Sequence, residues 1–392
     1  MDFDVVPDRR GTDCLKYDAA ERRGYPKDVL PLWVADMDFP VAPAITEALR
    51  RRLEHPVYGY SEADPARYGA VLKHWFRTQH GWDLDPTWLV QTPGVVFALA
   101  AAVCAFTDPG DAVLINQPVY YPFSEDILTN NRRRVSSDLV LRDGRYEIDF
   151  DDMEQKIVDN HVKLYLLCSP HNPVGRVWTR EELRRLGDIC RRHGVLVAAD
   201  EIHEDFTWNG CRHTVYASLG PEFADHCLVL TAPSKTFNIA GLQVSNIFIP
   251  NAALRERFRR QVDAFGYSQL NTLGLVAAEA ALRDGLPWLR EVRAYLEGNI
   301  RFFREYLERE LPQLTLLPPE GTYLLWVDFR RLGLTEARRQ DLLVRQARLW
   351  LDSGAIFGKA GDGFERFNIA CPRATLRQAL AQLKKALSKN VM

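Results

Sequence analysis

The stretch "CLVLTAPSKTFNIAGLQ", residues 227–243, joins an apolar run to a polar turn that contains Lys235. The run "CLVLTA" has the length and composition of a buried strand, and Lys235 follows directly after its end. A lysine at the carboxyl edge of a sheet is usually solvated. A desolvated one can have its amine pKa lowered enough to form a Schiff base, so the surrounding pattern must distinguish the two cases.

The chain around this stretch alternates strand and helix patterns from about residue 88 to 250. A helix over 179–194 is indicated by a capping threonine, early glutamates and a closing glycine. This alternation predicts an α/β fold with a mostly parallel sheet, covered by helices on both faces, whose ligands bind beyond the carboxyl ends of the strands. The strand patterns are "WLVQT", "AVLINQ", "VKLYLLCS", "GVLVAAD", "CLVLTA" and "SNIFIP".

The pattern changes near residue 285, where a long amphipathic segment leads into mixed strand and helix patterns. We predict three parts. An N-terminal segment, 1–44, packs with the small domain; a large domain covers 45–285; and a smaller α+β domain covers 286–392.

Composition excludes several classes of function. The 392 residues have a formal net charge of −2, which gives no overall field for nucleic acid or an anionic membrane. The seven cysteines form no metal-binding spacing and are typical of a reducing compartment. The N-terminus lacks the apolar region of a signal peptide, and the longest apolar run, 95–106, is too short to span a membrane. We therefore expect a cytoplasmic protein without a metal.

Chemically useful residues follow the other strand patterns. Gly94-Val95-Val96 opens an apolar helix whose first amides suit an anion, although a structural turn explains it equally well. Tyr120 offers a platform for a flat ring or packs in a loop, and Asn172 lies between two prolines. Asp200 ends a strand, as a counter-ion to a protonated heterocycle or as a helix cap, with His203 as a further donor.

Together with Lys235, this set supplies an anion cradle, a ring platform, an amide, a counter-ion and an amine. Those are the groups that pyridoxal 5'-phosphate requires, and we predict this cofactor.

The ordered motifs also resemble a known family. They are "LPLWVADMDF" (30–39), "YGYS" (58–61), "TPGVV" (92–96), "QPVYYPF" (117–123), "SPHNPVGRVW" (169–178), "ADEIH" (199–203), "SKTFNIAGLQ" (234–243) and "RFNIACPR" (366–373). Over nearly the whole chain this set is similar to the fold-type I aminotransferase class I/II superfamily, and within it to the MalY/PatB-type cystathionine β-lyases. The resemblance implies a seven-stranded, mostly parallel sheet.

The resemblance also implies roles for single residues. Lys235 would hold the cofactor as a Schiff base (the internal aldimine), and Asp200 would pair with the ring nitrogen. The other expected cofactor contacts are Asn172 and His203 near the ring hydroxyl, Tyr120 stacked on the ring, and Gly94, Val95, Val96 and Ser234 at the phosphate.

The expected substrate contacts include Arg373, which would clamp the substrate carboxylate with its guanidinium fork. Ala35, Asn172 and Tyr120 would lie beside the substrate. Tyr60 would reach the phosphate of the neighbouring subunit, so the family implies a homodimer whose catalytic sites are shared.

Two reactions remain open on the residues alone, because the same groups serve both. One is β-elimination of a cysteine S-conjugate, and the other is amino transfer to a 2-oxo acid. The resemblance favours the lyase. A cofactor-binding regulatory protein is a third hypothesis, disfavoured because no DNA-binding motif is fused to the chain.

Overall fold

The computed structural model describes residues 1–389, and its main feature is a seven-stranded sheet. In spatial order the strands run β1-β7-β6-β5-β4-β2-β3. β7 runs antiparallel to the other six strands, which are parallel to one another. The strands are β1 Leu89–Thr92, β2 Ala112–Ile115, β3 Arg133–Ser136, β4 Leu164–Cys168, β5 Leu196–Asp200, β6 Cys227–Thr231 and β7 Ser245–Phe248.

The central strands are apolar along their whole length because helices cover both faces of the sheet. β4 and β6 are buried at every residue, as expected for parallel strands in such a layer. The main helices are α1 Pro43–Leu53, α2 Pro65–His80, α3 Val95–Phe106, α4 Pro122–Thr129, α5 Phe150–Asn160, α6 Arg180–Arg192, α7 Ala252–Ala264, α8 Thr272–Asp284, α9 Leu286–Glu310 and α10 Arg373–Lys389.

A smaller four-stranded antiparallel sheet lies in the C-terminal part of the chain, with α9 and α10 packed together beside it. Its spatial order is β8-β9-β11-β10. The strands are β8 Thr315–Leu316, β9 Leu324–Asp328, β10 Asp352–Ser353 and β11 Phe364–Asn368. Shorter helices include Leu15–Asp18, Glu21–Arg23, Pro221–Ala224, Pro233–Thr236, Ala240–Leu242, Glu336–Gln340 and Asp341–Gln346.

The N-terminal segment is joined to the C-terminal part by strand pairing. Leu30–Pro31 pairs in parallel with Leu349–Trp350, and the amide of Asp38 donates to the carbonyl of Ala370. Residues 33–39 follow this pairing and bond both to Asn238, after β6 of the large sheet, and to Asn368 in β11 of the small one. The division into segments 1–44, 45–285 and 286–392 stays a prediction.

The predicted α/β fold with a mostly parallel seven-stranded sheet is confirmed, and all six strand patterns are strands of it. The predicted helix over 179–194 is α6, capped by Thr179 and Glu182 in a reciprocal pair of hydrogen bonds. The seventh strand, β3, was not recognised from its pattern. Within residues 1–389, none of the helices has both the length and the apolar character that a bilayer crossing requires.

Candidate active site

A cavity of about 200 Å³ opens where the parallel strands end. Residues that follow β1, β4, β5 and β6 meet there, because parallel strands bring their carboxyl ends to one edge. The lining residues are Ala35, Pro93, Gly94, Val95, Val96, Tyr120, Cys168, Asn172, Asp200, Ile202, His203, Ser234, Lys235, Ala240, Gln243 and Val244. Of the predicted site residues, only Tyr60 and Arg373 are missing from this lining.

Lys235 lies in the short helix Pro233–Thr236, directly after β6. Its Nζ donates a hydrogen bond to the carbonyl oxygen of Ala35 at 2.8 Å. Burial lowers the pKa of Lys235 to about 8; Arg366 adds to the decrease, while Asp36 and Asp200 oppose it. The amine is therefore far more often neutral near pH 7 than that of a solvated lysine, which makes it a competent nucleophile and base.

Asp200 is the last residue of β5 and its carboxylate is buried. The backbone amide of Ile202 donates to its Oδ1 at 3.1 Å. Burial raises the pKa of Asp200 to about 7, despite the opposing effects of that amide and of Lys235. A carboxyl in this state is stabilised as an anion by a cation or a protonated ring placed against it.

His203 lines the same wall. Burial lowers its pKa to about 3, with Lys235 and Arg366 adding to the decrease, so the ring is neutral. Among the described residues its Nδ1 has no hydrogen-bond partner. A buried ring nitrogen without a partner is available to a polar group in the cavity.

Asn172 and Tyr120 also line the cavity and are bonded to each other through the backbone, since Tyr120 N–H donates to the Asn172 carbonyl at 3.0 Å. The Asn172 side-chain oxygen accepts a hydrogen bond from Nη1 of Arg366 at 2.9 Å. The ring of Tyr120 contacts that of Tyr121, with centroids 5.1 Å apart. The buried His171 is not part of the lining, and its Nε2 bonds to the carbonyl of Pro118 at 2.8 Å.

Gly94, Val95, Val96 and Ser234 form the end of the cavity where α3 begins. The first amides of a helix have no intrahelical acceptor and attract an anion. At Gly94 the backbone is extended, and no atom lies within 4 Å of where a Cβ would stand. Neither conformation nor packing within the chain therefore requires glycine there, and the open space suits a bound group.

Arg366 in β11, which sequence reasoning missed, bonds to the cavity-lining residue Asn172. Its buried guanidinium bonds to Asn172, to the carbonyl of Trp33 at 2.7 Å and to the carboxylate of Asp352. Its Nε has no partner among the described residues. The sequence offers only a weak signal, because the segment "FERFNIA" mixes apolar residues with Glu365, Arg366 and Asn368 and does not by itself indicate a buried arginine.

The structure places Arg373, which we predicted to clamp the substrate, outside the lining of this cavity. Arg373 is the first residue of α10, beyond the end of β11, and its Nε donates to Oδ1 of Asn299 at 2.6 Å. Its guanidinium packs over the rings of Tyr295 and Phe302. These contacts hold α10 against α9, and the residue does not line the cavity.

Tyr60 also lies outside the cavity of its own chain, with 96% of its surface exposed. Its predicted contact with the site of a neighbouring subunit stays a prediction. Ala35, predicted beside the substrate, does line the cavity, and its carbonyl accepts hydrogen bonds from both Lys235 and the hydroxyl of Tyr323.

Comparison with known proteins identifies the family. The model for aminotransferase class I and II matches residues 27–383. Cystathionine β-lyase PatB of Bacillus subtilis (strain 168) is 44% identical over 99% of this chain and 100% of its own, and protein MalY of Escherichia coli (strain K12) is 35% identical over 99% of each. The crystal structure of the pyridoxal-phosphate-bound C–S lyase from Staphylococcus hominis superposes with a TM-score of 0.93 at 34% identity, covering 99% of this chain and 98% of that one. The chain belongs to the aminotransferase class I and II family, in the branch that contains PatB and MalY.

Proposed function

We propose that the protein is a pyridoxal-phosphate-dependent C–S lyase that cleaves the Cβ–S bond of cysteine S-conjugates to give a thiol, pyruvate and ammonia. The observation that carries the proposal is the cavity itself, which joins a desolvated amine, a buried carboxylate and a helix N-terminus within one small volume. The 44% identity to a cystathionine β-lyase over the whole chain supports the lyase over other reactions of the family.

The residues present fit pyridoxal phosphate. The open space at Gly94 and the first amides of α3 suit a phosphate, and Lys235 suits its aldehyde. Asp200 suits a protonated ring nitrogen, because such a cation would stabilise a carboxylate that burial otherwise disfavours. The bound cofactor supplies an electron-withdrawing ring that stabilises negative charge at the substrate α-carbon.

Lys235 has two tasks in this reaction. Its neutral amine would hold the cofactor through the aldehyde. When a bound substrate leaves it free, its Nζ would take the proton from the substrate α-carbon. A pKa near 8 suits both tasks at neutral pH, because the neutral form is accessible and the ammonium that forms is still a stable product.

Arg366 is the residue that we assign to the substrate carboxylate, in place of Arg373. Its Nε is buried and without a partner among the described residues, while Asn172, Trp33 and Asp352 hold the rest of the guanidinium in place. A guanidinium that is oriented in advance binds a carboxylate with little loss of entropy. The side-chain amide of Asn172 contacts Arg366, so it would link the residue that binds the substrate carboxylate to the residues that hold the cofactor.

The elimination moves two electron pairs. The pair of the broken Cα–H bond forms the Cα–Cβ double bond, and the pair of the Cβ–S bond leaves with sulfur as a thiolate. The α-proton taken by Lys235 is then transferred to the thiolate, which gives the thiol and returns the amine to its neutral form. The released 2-aminoacrylate tautomerises to its imine, which water hydrolyses to pyruvate and ammonia.

The alternative is an aminotransferase, whose reaction would use every residue that the lyase reaction uses. To distinguish the two reactions, purified protein loaded with pyridoxal phosphate is incubated with L-cystathionine and no 2-oxo acid. We expect homocysteine, pyruvate and ammonia in equal amounts, and none with Lys235→Ala. Turnover that depends strictly on an added 2-oxo acid would contradict the lyase and favour amino transfer.

We further propose that the protein works as a homodimer in which Tyr60 reaches the partner's site. Val57, Tyr58 and Tyr60 are exposed apolar or aromatic side chains in one short loop. The loop borders a surface groove of about 730 Å³ lined by residues 58–61 and 266–273. Contiguous exposed aromatic surface of this kind is typical of an interface. Cytoplasmic location stays a prediction.

A further inference from the structure

Residues 33–39, which we call the Ala35 loop, are hydrogen-bonded to three separate parts of the chain. Asn238, three residues after Lys235, bonds to the backbone of Met37 and Phe39. From β11, Asn368 donates to the carbonyls of Val34 and Asp36. A loop held this firmly can present its Ala35 carbonyl to Lys235 at a fixed position.

The third part is the N-terminal segment, which binds the loop through charge. The guanidinium of Arg9 donates to both oxygens of Asp36, at 3.1 and 2.6 Å, and to Oδ1 of Asp38 at 2.6 Å. The ammonium of Lys16 is buried and lies 2.9 Å from Asp38 and 3.5 Å from Asp36. The hydroxyl of Tyr17 donates to Asp38 at 3.0 Å. Two cations thus balance two carboxylates beside the cavity.

We propose that Asp36 is a positioning residue for Lys235: held by Arg9 and Lys16, it fixes the Ala35 carbonyl on the amine and provides the negative charge that stabilises the protonated form. The inference rests on the proposed role of Lys235 as the cofactor-linking lysine. The inference adds that the N-terminal segment, whose first lining residue is Ala35, influences the position and the protonation of the Lys235 amine.

The other charged groups around Lys235 show why Asp36 is needed. Arg366 adds to the lowering of the Lys235 pKa and Asp200 opposes it. His203 and Tyr120 in the same cavity, and Tyr323 on the Ala35 carbonyl, are neutral because burial lowers the pKa of the histidine and raises the pKa of both tyrosines. In the working site, Asp200 would face the cofactor ring and Arg366 the substrate carboxylate. Asp36 is then the carboxylate left to stabilise the ammonium that forms when Lys235 takes the α-proton.

Asp38 provides a matched control. It bonds to the same Arg9 and Lys16 and is more buried than Asp36, with 3% of its side chain exposed against 18%. Unlike Asp36, it does not directly follow Ala35, whose carbonyl accepts the hydrogen bond from Lys235 at 2.8 Å. A purely structural ion cluster would therefore respond at least as strongly to Asp38→Asn as to Asp36→Asn, whereas our proposal makes Lys235 respond to Asp36 alone.

The experiment measures the protonation of the Lys235 amine by chemical labelling, so its result does not depend on enzyme activity. Wild type, Asp36→Asn and Asp38→Asn are freed of cofactor, and the acetylation rate of Lys235 is followed by mass spectrometry from pH 6 to 10. Because loss of a nearby anion destabilises the ammonium, we expect Asp36→Asn to label Lys235 about threefold or more faster at pH 7, with its midpoint at lower pH. Asp38→Asn should label as wild type does.

A change in the labelling rate of Asp36→Asn in the opposite direction would identify a merely structural role for Asp36. A loosened loop would hydrate Lys235, move its midpoint towards the value of a solvated lysine, and slow the labelling at pH 7. Slower labelling, or equal changes in both variants, would overturn the proposal. Should Asp36→Asn fail to fold, Asp36→Ser carries the same test, since serine also lacks the charge. A wild-type Lys235 that never attaches pyridoxal phosphate would instead overturn the proposed function.

Discussion

Asn172 accepts a hydrogen bond from Arg366 at 2.9 Å, and this contact joins the loop after β4 of the large sheet to β11 of the small one. It places a buried guanidinium next to a residue of the cavity lining. The substrate carboxylate and the cofactor can therefore be recognised by adjacent side chains that belong to different parts of the chain.

Replacing Arg366 tests this arrangement. In Arg366→Lys the charge is kept but the fork is lost, so we expect kcat/KM for L-cystathionine to fall by about 100-fold or more, mainly through KM. Arg373→Met is the matched control. It should change kcat/KM by less than about threefold, because Arg373 bonds to Asn299 away from the cavity. A large KM effect in Arg373→Met with little in Arg366→Lys would restore the original assignment.

The proposed covalent role of Lys235 predicts a characteristic pH dependence. Since burial lowers its pKa to about 8, the neutral fraction of the amine rises up to that pH and then levels off. The rate at which cofactor-free protein attaches pyridoxal phosphate should follow this curve. After borohydride reduction, mass spectrometry should find the adduct on Lys235, and Lys235→Ala should show none while its circular dichroism is unchanged. An adduct on another lysine would reject the assignment.

Asp200 should limit the stability of the cofactor-free protein. Its folded-state pKa of about 7 lies above the ordinary value of 3.8, so the folded state holds a proton that the unfolded state releases. The free energy of unfolding therefore falls as pH rises from about 4 to about 7. We expect cofactor-free Asp200→Asn to exceed wild type at pH 8 by about 2 to 4 kcal/mol in urea unfolding, and by much less at pH 4.5.

The same variant should lose lyase activity, because an amide cannot keep the cofactor ring protonated. Equal stability differences at both pH values would show that Asp200 is ionised in the empty site. Near-normal turnover by Asp200→Asn would show that the residue only caps the turn, through its bond to the amide of Ile202.

Sequence patterns predicted the large sheet and most of the cavity for one reason. Apolar runs identify buried strands, and parallel strands bring the residues after them together, so Asp200, Asn172 and Lys235 were found without knowing any distance. Strand β3 was not predicted because it is an edge strand that begins with two exposed arginines, Arg133 and Arg134. A basic, polar pattern of this kind is typical of a solvated turn.

Contacts between distant segments could not be predicted in the same way. Arg366 and Arg373 both occur in "RFNIACPR", and only the structure shows that a strand ends and a helix begins between them. The bonds from Arg9 to Asp36 and Asp38 join residues 27 and 29 positions apart through loops that have no periodic pattern. Such pairings follow from tertiary packing, which local pattern does not encode.

Tyr60 offers the sharpest test of a shared site, through mixed dimers of two inactive variants. Tyr60→Ala lacks the loop residue, and Lys235→Ala lacks the amine. If Tyr60 acts in the partner's site, a mixed dimer has one site with both changes and one site with neither. Co-refolding equal amounts should then restore about a quarter of wild-type activity, since about half of randomly formed dimers are mixed and each has one intact site.

The outcome differs if Tyr60 serves its own chain. Every site in a mixed dimer would then have one change, and mixing would restore nothing. Analytical ultracentrifugation must show dimers in both variants for the comparison to hold, and Tyr58→Ala mixed with Lys235→Ala reports on the neighbouring aromatic residue. The near-complete exposure of Tyr60 in the single chain favours restoration, because an aromatic ring left uncovered by residues 1–389 of its own chain is well placed to be buried against a second copy.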